Sequence, residues 1–201
     1  MECPTEAKPF AAEALNAELR ALQEGHAQRF APATAGVKGL LYLRAQQDGD
    51  QPPGVVEICV RVLTAARDGA SARVRFAQRL LPCEAVCYAS VAEILKAVQP
   101  LVAKHFAVDA KTSKTFAVVF ESRSCDGLKL DRAELINAVA ALVPKPHKVD
   151  LKAPDRVIMV QVVKSAAALS VLPDYYALKK YNLSMLTQHK EPDAAQATAA
   201  L

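Results

Sequence analysis

The chain has 201 residues, of which 52% are hydrophobic and 23% are charged. This composition is that of a folded protein with a sizeable core, and it excludes an intrinsically disordered chain. No apolar run reaches the ~18 residues that a membrane-spanning helix needs, so the sequence predicts no membrane partner. The first residues also lack the basic and apolar segments of a secretory signal.

The five cysteines are an odd number at irregular spacing. That usage indicates free thiols in a reducing compartment rather than a disulfide framework. We therefore expect an intracellular protein, located in the nucleus or nucleolus or in the cytoplasm.

The net charge of +4 is unevenly distributed. Residues 1–28 carry five acidic and two basic side chains, so the rest of the chain carries +7. The tail from Glu191 contains two further acids, which leaves +9 over residues 29–190. A basic body with acidic ends favours a nucleic-acid partner, although many proteins that bind no nucleic acid have a similar excess.

The N-terminal third of the sequence predicts two helices and a short strand between them. Residues 10–28 have leucines spaced by three and four among alanines and glutamates, which is typical of an amphipathic helix. Leu40–Arg44 is a short strand. Val55–Ala66 fits an alternating strand as well as a helical face. We interpret it as a helix because a better strand candidate follows after a short turn.

That better candidate is Arg73–Leu81, in which apolar and basic side chains alternate. Arg73, Arg75 and Arg79 would lie on one face of the strand, ~7 Å apart for residues two positions away. The face is either a solvated surface of a sheet or a surface that contacts phosphates, and the residues leave both interpretations open.

A third helix is predicted over Val91–Phe106, because Ser90 and Glu93 form a capping box at its start. Pro100 should kink or split this helix. His105 lies close to its apolar face, where a histidine is more typical of a packed core residue than of a metal ligand.

The remaining elements predict a buried sheet. Thr115–Phe120 is an apolar strand, and Asp131 is placed to cap the helix that follows it. Arg156–Val163 is rich in β-branched residues and Ala166–Leu172 in small ones, which favours a pair of buried strands. The order of helix, strand, helix, strand and strand predicts an α+β domain.

Tyrosines and lysines are interleaved in the segment Pro173–Leu186. The tyrosines could stack on RNA bases, or a helix could pack them on the domain or on a partner protein. We predict a helix with Tyr175 and Leu178 facing inward. The exposed residues that would bind a partner are Tyr176, Lys179 and Lys180.

The sequence contains no glycine-rich phosphate loop, no pair of Cys-x-x-Cys motifs and no deaminase motif. Cys125 lies in a polar loop beside Arg123, and an exposed thiol without a chemical role is the better interpretation. We therefore expect no catalytic residue, no bound metal and no cofactor.

Five segments together resemble the THUMP domain, an RNA-binding module of tRNA- and rRNA-modifying enzymes. Within that family they are most similar to the stand-alone eukaryotic adaptors of tRNA N4-acetylcytidine formation. The segments are RLLP at 79–82, TFAVVFESR at 115–123, VDLKAPD at 149–155, VVKSAAALSV at 162–171 and DYYALKKYNL at 174–183.

The resemblance implies an α+β fold, an α/β sandwich, in which a THUMP domain follows a partial ferredoxin-like α/β domain. On this interpretation residues 1–28 are a helix and residues 29–84 are the partial ferredoxin-like domain. Residues 85–187 are the THUMP domain with its C-terminal helix, and residues 188–201 are a disordered tail.

The resemblance also implies a function. The protein would bind tRNA and present it to a separate acetyl-CoA-dependent RNA cytidine acetyltransferase, with no catalysis of its own. One alternative is an RNA-binding module for another modifying enzyme, such as a methyltransferase. The other is an α/β protein-interaction domain with no role in RNA binding.

The candidate RNA contacts are basic residues beside the predicted strands and at the start of one helix. Arg132 opens that helix, whose free N–H groups suit a phosphate, although the acids at 131 and 134 weaken the site. Lys164 lies between two core strands, next to small side chains that would let a nucleic-acid backbone approach. The candidates are Arg73, Arg75, Arg79, Lys111, Lys114, Arg123, Lys129, Arg132 and Lys164.

Overall fold

The computed structural model describes residues 30–34, 36–45, 53–69, 77–107, 113–125 and 130–187. The chain forms two compact units, residues 1–51 and residues 52–201. The helix predicted over residues 10–28 and the tail predicted over residues 188–201 lie outside the described residues.

The described part of the first unit is an antiparallel hairpin. Strand β1 (Phe30–Thr34) pairs with strand β2 (Leu41–Ala45), so that Phe30 lies opposite Ala45. Gly36 and Gly39 have φ angles of 62° and 75° in the connection, a backbone conformation that glycine adopts without steric cost. Strand β2 confirms the short strand predicted over residues 40–44.

The second unit is built on a five-stranded mixed sheet with the order β3-β7-β6-β4-β5. Its strands are β3 (Ala85–Tyr88), β4 (Thr115–Arg123), β5 (Lys148–Val149), β6 (Arg156–Val163) and β7 (Ala166–Pro173). Strands β5 and β6 run parallel to β4, whereas β7 is antiparallel to both β6 and β3. The two apolar strands predicted around Lys164 are thus the centre of the sheet, which confirms the α+β fold class.

Helices cover both faces of this sheet. Helix α1 (Val55–Arg67) lies on one face, and helices α2 (Val91–His105) and α3 (Arg132–Ala141) lie on the other. The short helix α4 (Leu183–Thr187) packs on the same face as α1. Alternate residues of each central strand point to opposite layers, so β6 is buried on both sides.

Helix α1 confirms the helical interpretation of residues 55–66 and also shows where that helix belongs. Its buried Cys59 and Leu63 share one hydrophobic cluster with Val157, Met159 and Leu172 of the central strands. The helix therefore helps to form the core of the second unit. The two compact units divide at residue 51, whereas the sequence-based boundary lies at residue 85.

The strand predicted over residues 73–81 is wrong in the part that the structure describes. Residues 77–83 have no strand, and Arg79 makes only an isolated antiparallel bridge with Asn182. The strand at this point of the chain is β3, which the sequence analysis did not predict. Strand β3 has only four residues and lies at an edge of the sheet, so its apolar pattern is short and weak.

Helix α2 begins as predicted, with the Ser90 hydroxyl accepting a hydrogen bond from the Glu93 N–H. It is not split at Pro100, because the helix runs without interruption from Val91 to His105. The proline lies on the exposed side and does not disturb the buried face of Ile94 and Val98. Among the described helices, none is long and apolar enough to cross a membrane.

Candidate nucleic-acid interface

Strand β4 has a free edge over most of its length in the part of the chain that the structure describes. On its inner side it pairs with β6 from Phe116 to Arg123. On its outer side β5 pairs only with Thr115 and Phe116. A groove of about 690 Å³ runs along the remaining edge. The residues that line this β4 groove are Val119, Phe120, Glu121, Ser122, Leu130, Arg132, Tyr175, Tyr176 and Lys180.

The two walls of the β4 groove come from opposite faces of the sheet. Leu130 and Arg132 precede and open helix α3, on the side of the helical layer formed by α2 and α3. Tyr175, Tyr176 and Lys180 belong to the segment after β7, on the other side. The groove therefore brings together Arg132, a predicted RNA contact, with Tyr176 and Lys180, which were predicted to bind a partner protein.

The segment after β7 is not the predicted α-helix. Residues 175–178 form turns, and Lys179–Tyr181 is a short helical turn with φ angles of 50°, 58° and 59°. Its burial matches the prediction, because Tyr175 and Leu178 are buried while Tyr176, Lys179 and Lys180 are exposed.

Arg79 connects this turn to the sheet. Its Nη1 donates to both carboxylate oxygens of Glu121, at 3.1 and 2.9 Å, and its Nη2 donates to the carbonyl oxygen of Lys180 at 3.2 Å. The guanidinium therefore neutralises the acid that lines the β4 groove. These contacts favour a positioning role for Arg79 over the predicted contact with phosphate.

The buried tyrosines hold the inner side of the same turn. The Tyr181 hydroxyl donates to the carbonyl oxygen of Pro173 at 2.9 Å, and its ring stacks on Tyr175 with 6.2 Å between centroids. Burial raises the pKa of both hydroxyls, so both phenols stay protonated at neutral pH. Tyr176 is half-exposed, and its hydroxyl donates to the carbonyl oxygen of Leu151 at 3.3 Å.

A second basic position lies at the carboxyl ends of the two parallel strands β4 and β6. Arg123 ends β4 and is exposed, and Lys164 follows β6 in an exposed two-residue turn. The Lys164 N–H donates to the carbonyl oxygen of Arg123 at 3.2 Å, so the two residues are direct neighbours. Lys164 has a φ angle of 53°, and small buried alanines follow it, as the sequence indicated.

Lys114 has internal partners rather than a free side chain. Its ammonium group donates to the carbonyl oxygen of His105 at 3.0 Å, and its N–H donates to Nδ1 of His147 at 3.1 Å. These bonds tie the start of β4 to the end of α2 and to the residue before β5. The remaining predicted contacts, Arg73, Arg75, Lys111 and Lys129, lie outside the described residues.

Three lysines that the sequence analysis did not select are exposed in the connection between α3 and β6. They are Lys145, Lys148 and Lys152. The two acids of this connection serve the backbone, since Asp150 accepts from the N–H of Lys152 and Asp155 accepts from Thr115. The three lysines are spaced by three and four residues in a segment rich in turn residues. This pattern was the signal that could have identified them.

Asp155 joins this connection to the start of β4 as a charged carboxylate. Its carboxylate accepts from the N–H and the hydroxyl of Thr115, at 2.7 and 2.9 Å, and these bonds hold its pKa below the usual range. No group of His, Cys, Asp or Glu within the described residues has the arrangement of a metal site.

Residues 88–172 match the family model of the THUMP domain, and these residues include most of the five-stranded sheet and both helices of one face. The chain therefore contains a THUMP domain, as the sequence analysis predicted.

Among its relatives are a THUMP domain-containing protein 1 homolog from Drosophila melanogaster and the tRNA acetyltransferase TAN1 from Saccharomyces cerevisiae. The Drosophila protein is 28% identical over 177 residues, covering 87% of this chain and 52% of the relative. The yeast protein is 30% identical over 125 residues, covering 59% of this chain and 43% of the relative. The chain thus spans about half the length of the curated relatives it matches.

Among solved structures, the protein PH1313 from Pyrococcus horikoshii is similar over 84% of this chain and 52% of its own. The sequences are 16% identical and the TM-score is 0.47.

Proposed function

We propose that this protein binds tRNA and presents it to a separate acetyl-CoA-dependent RNA cytidine acetyltransferase. The THUMP domain and the name of the yeast relative support this function. The chemistry of acetyl transfer would belong to the partner enzyme. A reducing intracellular compartment, nuclear or cytoplasmic, is part of the same proposal.

The observation that carries the proposal is the pairing of Arg123 with Lys164 at the carboxyl ends of β4 and β6. In sheets with parallel strands, ligands commonly bind outside the carboxyl ends of those strands. Two basic side chains there can contact neighbouring phosphates, and the backbone bond between the two residues holds their main chains together. Lys148 and Lys152 lie at the opposite, amino end of β4, where β5 pairs with Thr115 and Phe116, so they form a separate basic position.

The experiment is a titration of tRNA binding against salt concentration for the full chain. Each neutralised phosphate contributes about 0.7–0.9 to the slope of log K against log salt. With roughly four to six contacts we expect a slope of about −3 to −5. Lys164→Glu should weaken binding and make the slope shallower by about one.

Lys96→Glu is the matched control, because Lys96 is an exposed base on helix α2 and should leave the slope unchanged. A tRNA affinity that does not depend on salt would contradict the proposal. Nucleoside analysis of tRNA from a deletion strain then identifies the modification. Loss of N4-acetylcytidine would support the acetyltransferase as the partner enzyme. Loss of a methylated nucleoside would instead indicate that the partner is a methyltransferase.

A further inference from the structure

The free edge of β4 presents backbone groups in a regular order. The Lys148 N–H donates to the carbonyl oxygen of Lys114, and the Asp150 N–H donates to that of Phe116. Even-numbered residues of β4 therefore point their backbone groups outward. By the alternation of a strand, the N–H and C=O groups of Val118, Phe120 and Ser122 also point outward, beyond the end of β5.

Phe120 and Ser122 lie in the β4 groove, so their outward backbone groups face its interior. Within the described residues, the edge without a partner strand covers residues 117–122, which is about 20 Å of strand. The backbone of an extended peptide of that length presents N–H donors and C=O acceptors in the same alternating order as the free edge of β4. The phosphates of RNA only accept hydrogen bonds, so they suit the outward N–H groups of the strand but not its outward carbonyl oxygens, for which the 2′-hydroxyls are the donors of the RNA backbone.

Each wall of the β4 groove combines an apolar surface with one cation. Leu130 lies beside Arg132 on one wall, and the rings of Tyr175 and Tyr176 lie beside Lys180 on the other. Within the described residues, Arg132 and Lys180 have no acidic partner, and Arg79 already neutralises Glu121. Asp131 turns its carboxylate toward helix α3, where it accepts from the Glu134 N–H at 2.8 Å.

We propose that the β4 groove binds an extended, acidic segment of a partner protein, which adds a sixth strand to the sheet beside β4. Side chains of the bound strand point alternately to the two walls. Its apolar residues contact Leu130 and the tyrosines, and its carboxylates pair with Arg132 and Lys180. Naming the acetyltransferase as the partner rests on the proposed function. The binding of an acidic strand in the groove is argued from the groove alone and does not depend on that function.

A synthetic peptide tests this directly. The probe is an eight-residue peptide with four central valine and isoleucine residues and a pair of glutamates at each end, labelled for fluorescence anisotropy. We expect saturable binding to the full chain, with slower amide exchange at Phe120 and Ser122. The same peptide with lysines replacing glutamates, or with methylated central amides, should bind at least tenfold more weakly.

Lys180→Glu should lower the affinity for the acidic peptide by about three- to tenfold, because a surface ion pair is replaced by repulsion between like charges. Lys179→Glu is the matched control: Lys179 is the exposed neighbour that does not line the groove, and this variant should change the affinity less than twofold. Circular dichroism of both variants confirms that they fold. Ser122→Pro is a second variant, because it removes an outward N–H without removing a bond to β6.

Two results would overturn the proposal. One is peptide binding that is unaffected by Lys180→Glu, by Ser122→Pro and by methylation of the peptide backbone. The other is a shallower tRNA salt slope for Lys180→Glu with no change in peptide affinity, which would assign the groove to RNA. If wild-type protein binds the peptide but no tRNA, the proposed function fails while the groove proposal stands.

Discussion

Glu84 shows how a single side chain connects three parts of the domain. Its carboxylate accepts from the Val171 N–H and pairs with His105 Nε2, both at 2.9 Å, and with Lys104 Nζ at 3.4 Å. Burial alone would raise the pKa of this carboxyl group, but the bonds from His105 and Val171 outweigh it and hold the pKa below its usual value. His105 is thus partly a packed residue, as predicted, and also the partner of a buried acid.

We predict that Glu84→Ala lowers the free energy of unfolding by about 1–3 kcal/mol at pH 7, because the buried Val171 N–H loses its acceptor. Urea denaturation measures this change, with the exposed Glu93→Ala as control. The folded pKa is depressed, so the contribution of the charged carboxylate is present above pH 4.5 and is lost as the pH falls through the folded pKa. The difference between wild type and Glu84→Ala should therefore shrink in acid. A difference independent of pH would contradict this role.

At the scale of an element, the conformation of the turn at residues 179–181 depends on contacts with residues distant in the sequence. Its sequence has the spacing of a helix, yet all three residues lie in the left-handed region, which costs about 1–2 kcal/mol per residue for L-amino acids. The Arg79 bond to the Lys180 carbonyl and the burial of Tyr181 compensate for that cost. None of these contacts is visible from the local sequence, and the helix prediction was wrong for that reason.

A glycine at this turn removes the steric cost. We predict that Lys180→Gly leaves the free energy of unfolding unchanged or raises it by up to about 1 kcal/mol, since glycine tolerates a φ angle of 58°. Lys96→Gly, in the middle of helix α2, should lower it by about 1 kcal/mol. Thermal or urea denaturation compares the two variants. A loss at Lys180 equal to that at Lys96 would show that the turn is not left-handed in solution.

At the scale of the whole molecule, helix α1 shares a hydrophobic core with the THUMP sheet. Leu63 is fully buried in the cluster that includes Val157 and Met159 of β6. Without α1, that face of the sheet would expose these side chains to water. A domain boundary at residue 85 separates the helix from the strands that it covers.

We predict that Leu63→Ala lowers the free energy of unfolding of the sheet by about 2–5 kcal/mol, the range for a leucine truncated in a core. Val62→Ala, at the neighbouring exposed position, should cost less than about 1 kcal/mol. Amide exchange of β6 is the decisive measurement, because it reports the sheet rather than the helix. Unchanged exchange in β6 of Leu63→Ala would show that α1 unfolds separately.

The sequence alone determined the elements whose residues carry their own pattern. The β-branched run of β6, the small residues of β7 and the capping box of α2 each specify local structure, and together with the resembling segments they indicated the THUMP domain. Tertiary structure decided which side chains meet. It brought Arg79 into contact with Glu121 and Lys180, and it assembled a groove from residues 119–122, 130, 132, 175, 176 and 180. The physical reason is that a groove at a sheet edge depends on how far a neighbouring strand pairs along it. Strand β5 pairs only with Thr115 and Phe116 before Asp150 begins a turn by accepting from the N–H groups of Lys152 and Ala153, and nothing in the sequence of β4 marks where that pairing ends.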